Sequence, residues 1–190
     1  ALKAGGFDKR TERTAGRNEA PYFAITDILG GGGCATNRGD GMPGIDTHGG
    51  NCEILSAEVM EQVTPIRVLR TELVPDSGGR GRYRGGLAIR RDYELLTDDI
   101  LVNAYVQQTN EETRPWGYDG GEPGGLARVA LNPGTDEEVE LPSKAMGLRL
   151  GKGTIIRLES SGGGGLGAAG ERAAESHERD LALGFVTAAP

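Results

Sequence analysis

The sequence predicts a mainly β protein, an antiparallel sandwich or barrel-like domain with short helices and glycine-rich loops. Short apolar segments rich in β-branched and aromatic residues follow one another along the 190 residues, and each has the length of a strand. Turns drawn from 33 glycines and 9 prolines separate them. Only two stretches have a helical pattern, so strands and long helices do not alternate as they do in a parallel α/β sheet.

The chain is expected to divide at its polar beginning. Residues 1–20 carry many charged side chains and few apolar ones, which predicts an irregular N-terminal arm. Residues 21–190 hold the predicted strands, and they are expected to form one β-rich domain, a length that suffices for a single core.

Strands are predicted wherever an apolar run lies between turn residues. They cover residues 22–29, 66–74, 87–96, 99–106, 126–131, 139–141 and 154–160, with a short apolar segment at 144–150. The Asn-Pro-Gly sequence at 132–134 predicts a hairpin turn, because Asn-Pro and Pro-Gly steps are typical of turns.

Two short helices are predicted. The first covers residues 54–63, with Ser56 as its N-cap and with Val59 and Val63 one turn apart on the same face. The second covers residues 171–183 and follows a glycine-rich segment.

Composition excludes several classes of function. The net charge is −7 and the arginines alternate with acidic residues, which argues against a general nucleic-acid surface. No run approaches the ~20 apolar residues of a membrane span, and the first residues lack an apolar signal core, so a cytoplasmic protein is expected. Cys34 and Cys52 are too few for a disulfide framework, and free thiols are expected.

An arginine–glycine stretch lies between two predicted strands. Residues 75–86 contain five glycines, three arginines and one tyrosine. Arginine presents a planar set of donors that suits a carboxylate or phosphate. Two interpretations follow: a structured connection whose arginines bond carboxylates inside the protein, or an anion or partner site. The candidate residues of such a site are Asp76, Arg80 and Arg82.

A second polar loop covers residues 40–51. Asp46 and His48 are candidate catalytic residues, because carboxylate–imidazole pairs serve both acid–base chemistry and metals, and Asn51 is a candidate binding residue. The alternative is a surface loop in which these side chains cap turns. The other histidine, His177, is expected to be a surface or capping residue.

The only tryptophan, Trp116, lies among glycines. It is expected either to fix its loop onto the core or to stack on a ligand.

No nucleotide site is predicted within the chain. Residues 147–153 are one residue short of a phosphate loop, and no Ser or Thr follows Lys152. Residues 165–170 fit G-x-G-x-x-G, but the second strand and acidic residue of a dinucleotide fold are missing. A close-packed turn is the favoured interpretation, with an anion at the following helix as the alternative.

Several motifs occur together in one order. They are Gly-Gly-Gly-Gly at 30–33, Asp-Gly at 40–41, Asp-Thr-His-Gly-Gly-Asn at 46–51, the stretch at 75–86, Trp-Gly at 116–117, Gly-Gly-Glu-Pro-Gly at 120–124, the glycine run at 161–167, Glu-Arg at 171–172 and Asp-Leu-Ala-Leu-Gly at 180–184. In these motifs the chain resembles the C-terminal part of the hydantoinase B/oxoprolinase family, over nearly its whole length. Gly49, Gly50 and Cys52 depart from the pattern, which places substrate contact around Asn51 in doubt.

The resemblance implies an ATP-dependent opening of a cyclic amide such as a hydantoin, 5-oxoproline or another lactam. ATP would bind a hydantoinase A-type subunit or domain, and the complete, oligomeric enzyme would also use a divalent metal and the N-terminal part of the same family chain. Asp46 and His48 are carried over as candidate catalytic positions, and Asn51, Asp76, Arg80, Arg82 and Trp116 as substrate- or partner-binding ones. Two alternatives remain: part of the large subunit of an ATP-dependent acetone or acetophenone carboxylase, and a non-catalytic β-rich interaction module.

Overall fold

Two antiparallel sheets make up most of the protein, which confirms the mainly β prediction. The computed structural model describes residues 1–10, 21–46, 50 and 52–187. One sheet has four strands in the order β2-β1-β5-β8, and the other has five in the order β3-β4-β9-β6-β7. Neither described sheet closes into a barrel.

The elements follow the predicted segments closely. The strands are β1 Leu2–Phe7, β2 Tyr22–Asp27, β3 Ile66–Leu73, β4 Ile89–Leu95, β5 Ile100–Tyr105, β6 Arg128–Leu131, β7 Val139–Glu140, β8 Lys144–Leu150 and β9 Ile155–Glu159. The α-helices are α1 Ala57–Val63 and α2 Ala174–Ala182, and 3₁₀ turns cover Glu111–Thr113 and Ala169–Glu171.

A single apolar core joins the two sheets. Leu2, Val102 and Ala104 from the four-stranded sheet belong to the same buried cluster as Leu95 and Ile156 from the five-stranded sheet. Alternate residues of β5 and β9 are buried in this core, as the period of a β-strand requires. The sheets therefore pack on each other as the two layers of a sandwich.

The prediction of an irregular arm over residues 1–20 is wrong for its first part. Leu2–Phe7 forms β1, which pairs with β2 on one side and β5 on the other. Leu2 and Ala4 are buried, and that alternation is hidden among charged residues and two glycines with low strand propensity. Residues 11–20 lie outside the described residues.

Helix α1 begins where predicted but packs differently. The Ser56 side chain accepts a hydrogen bond from the backbone N–H of Val59 at 3.2 Å, as an N-cap does. Met60 is fully buried, whereas Val59 and Val63 are exposed. The one buried side chain of this seven-residue helix is thus Met60, which belongs to the core cluster, and its flexible, unbranched side chain suits that place.

A second packed region, which we call the glycine layer, is built from residues 31–35, 77–86, 116–125 and 161–167. Its backbones hydrogen-bond directly: Gly79 donates to the carbonyl of Gly163 at 2.8 Å, and Gly163 donates to that of Gly86 at 2.9 Å. A Cβ atom at Gly163 would overlap the Gly33 carbonyl. The chains thus approach at a separation that admits only glycine, as at the crowded axis of collagen.

Candidate binding cleft

The three arginines of the stretch between β3 and β4 have different surroundings. Arg84 is buried, and its Nε lies 3.0 Å from Oδ2 of the buried Asp180. Arg80 and Arg82 are exposed. Arg84 therefore fits the interpretation in which an arginine of the stretch bonds a carboxylate inside the protein. The Arg80 and Arg82 side chains are exposed instead.

Arg84 belongs to a charged network that fastens α2 to the glycine layer. Arg172 donates to both carboxylate oxygens of Asp40, at 2.8 and 2.9 Å, and to Oδ2 of Asp180 at 2.5 Å. Asp40 also accepts the backbone N–H of Arg84 at 2.8 Å. Bidentate, charge-assisted bonds of this kind are among the strongest that side chains make.

The network determines the protonation of its members. Burial alone would raise the pKa of Asp40, but hydrogen bonds from Arg172 and from the Arg84 backbone outweigh it, so the pKa lies below its usual value. The hydrogen bond to Asp40 in turn raises the pKa of Arg172. Both groups are therefore charged at neutral pH.

A cleft of about 480 Å³ lies between the stretch and the segment that carries α2. Asp76, Arg80 and Arg84 of the stretch line it, together with Arg172, His177 and Glu178 of the later segment. Its volume is within the ~300–1,000 Å³ of small-molecule sites. Two of the predicted binding residues, Asp76 and Arg80, are thus brought to one cavity.

Four groups at this cleft have no partner among the residues that the structure describes. The exposed Arg80 guanidinium and the exposed Glu178 carboxylate form no ion pair or side-chain hydrogen bond within residues 1–10, 21–46, 50 and 52–187. Nε2 of His177 and Nε of Arg172 are buried and have no hydrogen-bond partner there. Beside the charged network, the cleft therefore presents donors and an acceptor that no described residue engages.

Asp76 is already engaged with the end of the chain. Its Oδ1 accepts the backbone N–H of Thr187 at 3.0 Å, and its own N–H donates to the carbonyl of Phe185 at 3.0 Å. The Arg84 guanidinium lies 5.2 Å from the centre of the Phe185 ring. Asp76 therefore fixes the segment at 185–187 beside the cleft. Its role in binding remains a prediction.

Arg82 is not among the residues that line the cleft. Its guanidinium lies 3.7 Å from the Glu171 carboxylate and 5.3 Å from the centre of the Tyr83 ring. It is the natural comparison for Arg80, because it stands two positions away, is exposed, and has a partner.

The second polar loop is described only in part. The Asp46 carboxylate accepts the backbone N–H of Cys52 at 2.9 Å, and its hydrogen bond and charge raise the pKa of the exposed Cys52 thiol. Asp46 does not line the cleft. His48 and Asn51 lie outside the described residues, so the catalytic and binding roles suggested for this loop remain predictions.

Trp116 does not fix its loop onto the core, because its side chain is 79% exposed. The backbone secures this loop instead: Tyr118 donates to the carbonyl of Gly165 at 2.9 Å, and Gly167 donates to that of Tyr118 at 3.0 Å. Backbone hydrogen bonds between glycine-rich segments thus hold this loop, in place of the expected contact of the Trp116 ring with the core. The suggested binding role of Trp116 remains a prediction.

Sequence reasoning missed the side of the cleft formed by residues 169–186. It places His177 at the surface, and it treats Arg172 and Asp180 only as parts of motifs. The available signal is Asp180 itself, a carboxylate next to the apolar residues 181–183 of the predicted helix. A carboxylate that becomes buried needs a cation as its partner.

The glycine motifs that superficially resemble nucleotide sites have other roles. Residues 151–153 form a turn from β8 to β9, and Gly165 allows a backbone approach to Arg80. Within the described part of the chain, no three potential ligands among His, Cys, Asp and Glu cluster as a metal site would require. None of the described helices has the length and apolarity needed to cross a membrane.

Comparison with known proteins establishes the family. The family model for hydantoinase B/oxoprolinase matches residues 1–169. The chain belongs to the hydantoinase B/oxoprolinase family. It is 31% identical over 187 residues to a protein of Pseudomonas sp. strain NS671 named as the B-type subunit of a D-/L-hydantoinase, a match that covers 98% of this chain and 31% of the relative. A 5-oxoprolinase of Pestalotiopsis fici, PfmaA, is 29% identical over 168 residues, or 86% of this chain and 12% of the relative.

Solved structures share the fold. An ATP-dependent caprolactamase from Pseudomonas jessenii superimposes with a TM-score of 0.78 at 22% identity, over 98% of this chain and 32% of that chain. A nucleotide-free acetone carboxylase gives a TM-score of 0.77 at 19% identity, over 98% and 28%. The chain thus corresponds to about a third of these larger proteins.

Proposed function

We propose that this chain is the C-terminal portion of a subunit of an ATP-dependent cyclic-amide hydrolase, which opens a hydantoin, 5-oxoproline or another lactam. The observation that carries the proposal is the match along 98% of the chain to a relative named as a hydantoinase component. The name of a relative as a 5-oxoprolinase points to the same chemistry, the hydrolysis of an amide bond within a ring.

The need for ATP follows from the chemistry of the bond. An amide carbonyl is a poor electrophile, and phosphorylation of its oxygen turns that oxygen into a good leaving group. One water adds to the activated carbon and the ring C–N bond breaks, with the nitrogen leaving as an amine and an acyl phosphate remaining. A second water hydrolyses the acyl phosphate to the carboxylate and phosphate. In this proposal ATP binds a hydantoinase A-type subunit or domain. The described donor set does not fit a divalent metal, so no step is assigned to a metal held here.

The contribution of this chain is to position groups that act after assembly. The cleft presents Arg80, His177 and Glu178 with unused hydrogen-bonding capacity, and the loop at Asp46 and His48 supplies the candidate acid–base pair. Because the chain spans 31% of the length of the hydantoinase relative, we infer that the remainder of the enzyme completes the site. The isolated chain is accordingly expected to be inactive.

A second candidate is the corresponding part of an ATP-dependent ketone carboxylase. The acetone carboxylase superposition over 98% of the chain favours it, and the chemistry again begins with ATP-dependent activation of a carbonyl group. The two candidates differ in what consumes the activated molecule, water in one case and bicarbonate in the other.

The test is ATP hydrolysis by the complete complex. Hydantoin, 5-oxoproline and caprolactam are compared with acetone plus bicarbonate, and ADP is measured with each. Stimulation by a cyclic amide supports the first proposal, and stimulation by the ketone alone replaces it with the second. If neither stimulates ATP use, both fail.

The Asp46→Ala and His48→Ala variants of the same complex test the non-catalytic alternative. Loss of turnover with normal assembly supports a catalytic loop. Full turnover would assign this chain to scaffolding.

A further inference from the structure

Arg80 differs from the other arginines of its stretch. Arg82 pairs with Glu171 and Arg84 pairs with Asp180, whereas Arg80 has no carboxylate partner among the residues that the structure describes. Arg80 is exposed, and it is one of the residues that line a cleft of about 480 Å³. A guanidinium matches a carboxylate in plane and spacing, with two parallel N–H···O bonds.

His177 supplies a second group without a partner at the same cleft. Its Nε2 is buried without a hydrogen-bond partner in the described part of the chain, and the residue lines the same cleft. A buried polar nitrogen without a partner is costly. A ligand oxygen in the cleft would remove that cost, with Nε2 protonated as the donor.

We propose that this cleft binds a small molecule through its carboxylate group, with Arg80 as the counter-charge and His177 as the second donor. The charges favour a monoanion over phosphate, because Glu178 also lines the cleft and would repel a dianion. Glu178 has no partner among the described residues, so it can accept an N–H group from the same ligand. The volume suits a small molecule.

The inference goes beyond the proposed function, because carboxylate recognition does not depend on ring opening or on carboxylation. It can therefore be measured on the 190-residue chain without nucleotide or partner subunits. Failure in that binding experiment, with lactam-stimulated ATP hydrolysis intact in the complex, would overturn this inference and leave the proposed function standing.

The experiment is an NMR titration of backbone amides with matched probes. Acetate is compared with acetamide, and 5-oxoproline with 2-pyrrolidinone, so that each pair differs in the carboxylate. We expect saturable shifts at Gly81 and Gly170, which line the cleft, with the carboxylates only. Tighter binding of 5-oxoproline than of acetate would add the contact of its N–H group with Glu178, and equal binding would confine recognition to the carboxylate.

Variants assign the binding to named groups. Arg80→Gln is expected to weaken acetate binding by about tenfold, the value of one charge-assisted interaction, while Arg82→Gln leaves it unchanged. His177→Leu weakens it and His177→Gln, which retains a donor, recovers part of the loss. Glu178→Gln tightens it because a like charge is removed. The amide spectrum of each free variant verifies the fold.

Three results would overturn the proposal. They are shifts of equal size with acetamide, an equal loss of affinity in Arg80→Gln and Arg82→Gln, and the absence of any saturable shift at Gly81 and Gly170.

Discussion

The sheet core and the glycine layer reach close packing in opposite ways. Between the sheets, side chains such as Tyr93 and Ile156 fill the space and are fully buried. In the glycine layer the backbone itself fills the space, and Gly33, Gly86 and Gly163 contact one another through main-chain atoms. A core of side chains tolerates small losses of volume, but a layer of backbones has no side chain that can move to admit an extra atom.

The largest expected effect is therefore that of a single added methyl group in the glycine layer. Gly163→Ala places a Cβ against the Gly33 carbonyl and should cost more than about 4 kcal/mol, at the extreme of single substitutions. Gly170→Ala is the matched control, because a Cβ there meets nothing within 4 Å. Denaturant unfolding measures both, and equal stability of the two variants would contradict the description of the layer.

A substitution that removes one methyl group from the sheet core measures how well that region tolerates a small change of volume, for comparison with the glycine layer. Ile156→Val should cost about 0.5–1.5 kcal/mol, because the neighbouring side chains relax partly around the lost group. The same unfolding experiment gives the value. A cost for Ile156→Val as large as that of Gly163→Ala would show that the two regions do not differ in tolerance.

The two regions also use buried carboxylates differently. In the sheet core, Asp27 joins the sheets by accepting bonds from Arg91 at 3.0 Å and from the Tyr93 hydroxyl at 2.7 Å. Asp27→Asn leaves a buried arginine without its counter-charge and should cost about 3–5 kcal/mol of global stability. Tyr93→Phe, which loses one hydrogen bond, should cost about 1 kcal/mol. Similar costs for both would contradict the assignment of an ion pair.

At the edge of the glycine layer, Asp180 holds a single helix. Asp180→Asn should release α2 locally, because Arg84 and Arg172 lose their shared partner. Amide hydrogen exchange is expected to accelerate across Ala174–Ala182 while β4 and β5 keep their protection. Uniform acceleration in the sheets as well would show that α2 is part of the global folding unit.

The smallest effect is a pH dependence that arises from Asp40. Its pKa is lowered in the folded protein by Arg172 and the Arg84 backbone, against the effect of burial. The stability that this provides is complete above the unfolded value of about 3.9 and is lost as pH falls through the folded pKa. Asp40→Asn should therefore flatten the loss of stability below about pH 4, as thermal unfolding over a pH series would show. If stability fell with pH equally steeply in the variant, Asp40 would not contribute to the pH dependence of stability.

Most of the sheet architecture could be predicted from the sequence, because strands such as β3, β5 and β9 are short apolar runs between turn residues. The strand β1 was missed since its apolar residues are only Leu2, Ala4 and Phe7, with Gly5 and Gly6 between them. Local patterns report a strand only when enough side chains contribute to its buried face.

Only one of the two segments that line the cleft could be predicted from the sequence. The stretch at 75–86 is recognisable by its composition, and Asp76 and Arg80 do line the cleft. A segment about a hundred positions later in the chain supplies Arg172, His177 and Asp180, and only tertiary packing brings them to the same cleft as Arg80. The exposure of Trp116 was unpredictable for a related reason, because glycine-to-glycine contacts leave no periodic pattern in the sequence.

The most direct test of the whole account is the stoichiometry of ring opening by the complete complex. Ring-opened product and ADP are measured together. The account predicts ADP formation that depends on a cyclic amide, with one ring opened for each ATP consumed. Ring opening without ATP consumption, or no response to any cyclic amide or ketone, would contradict it.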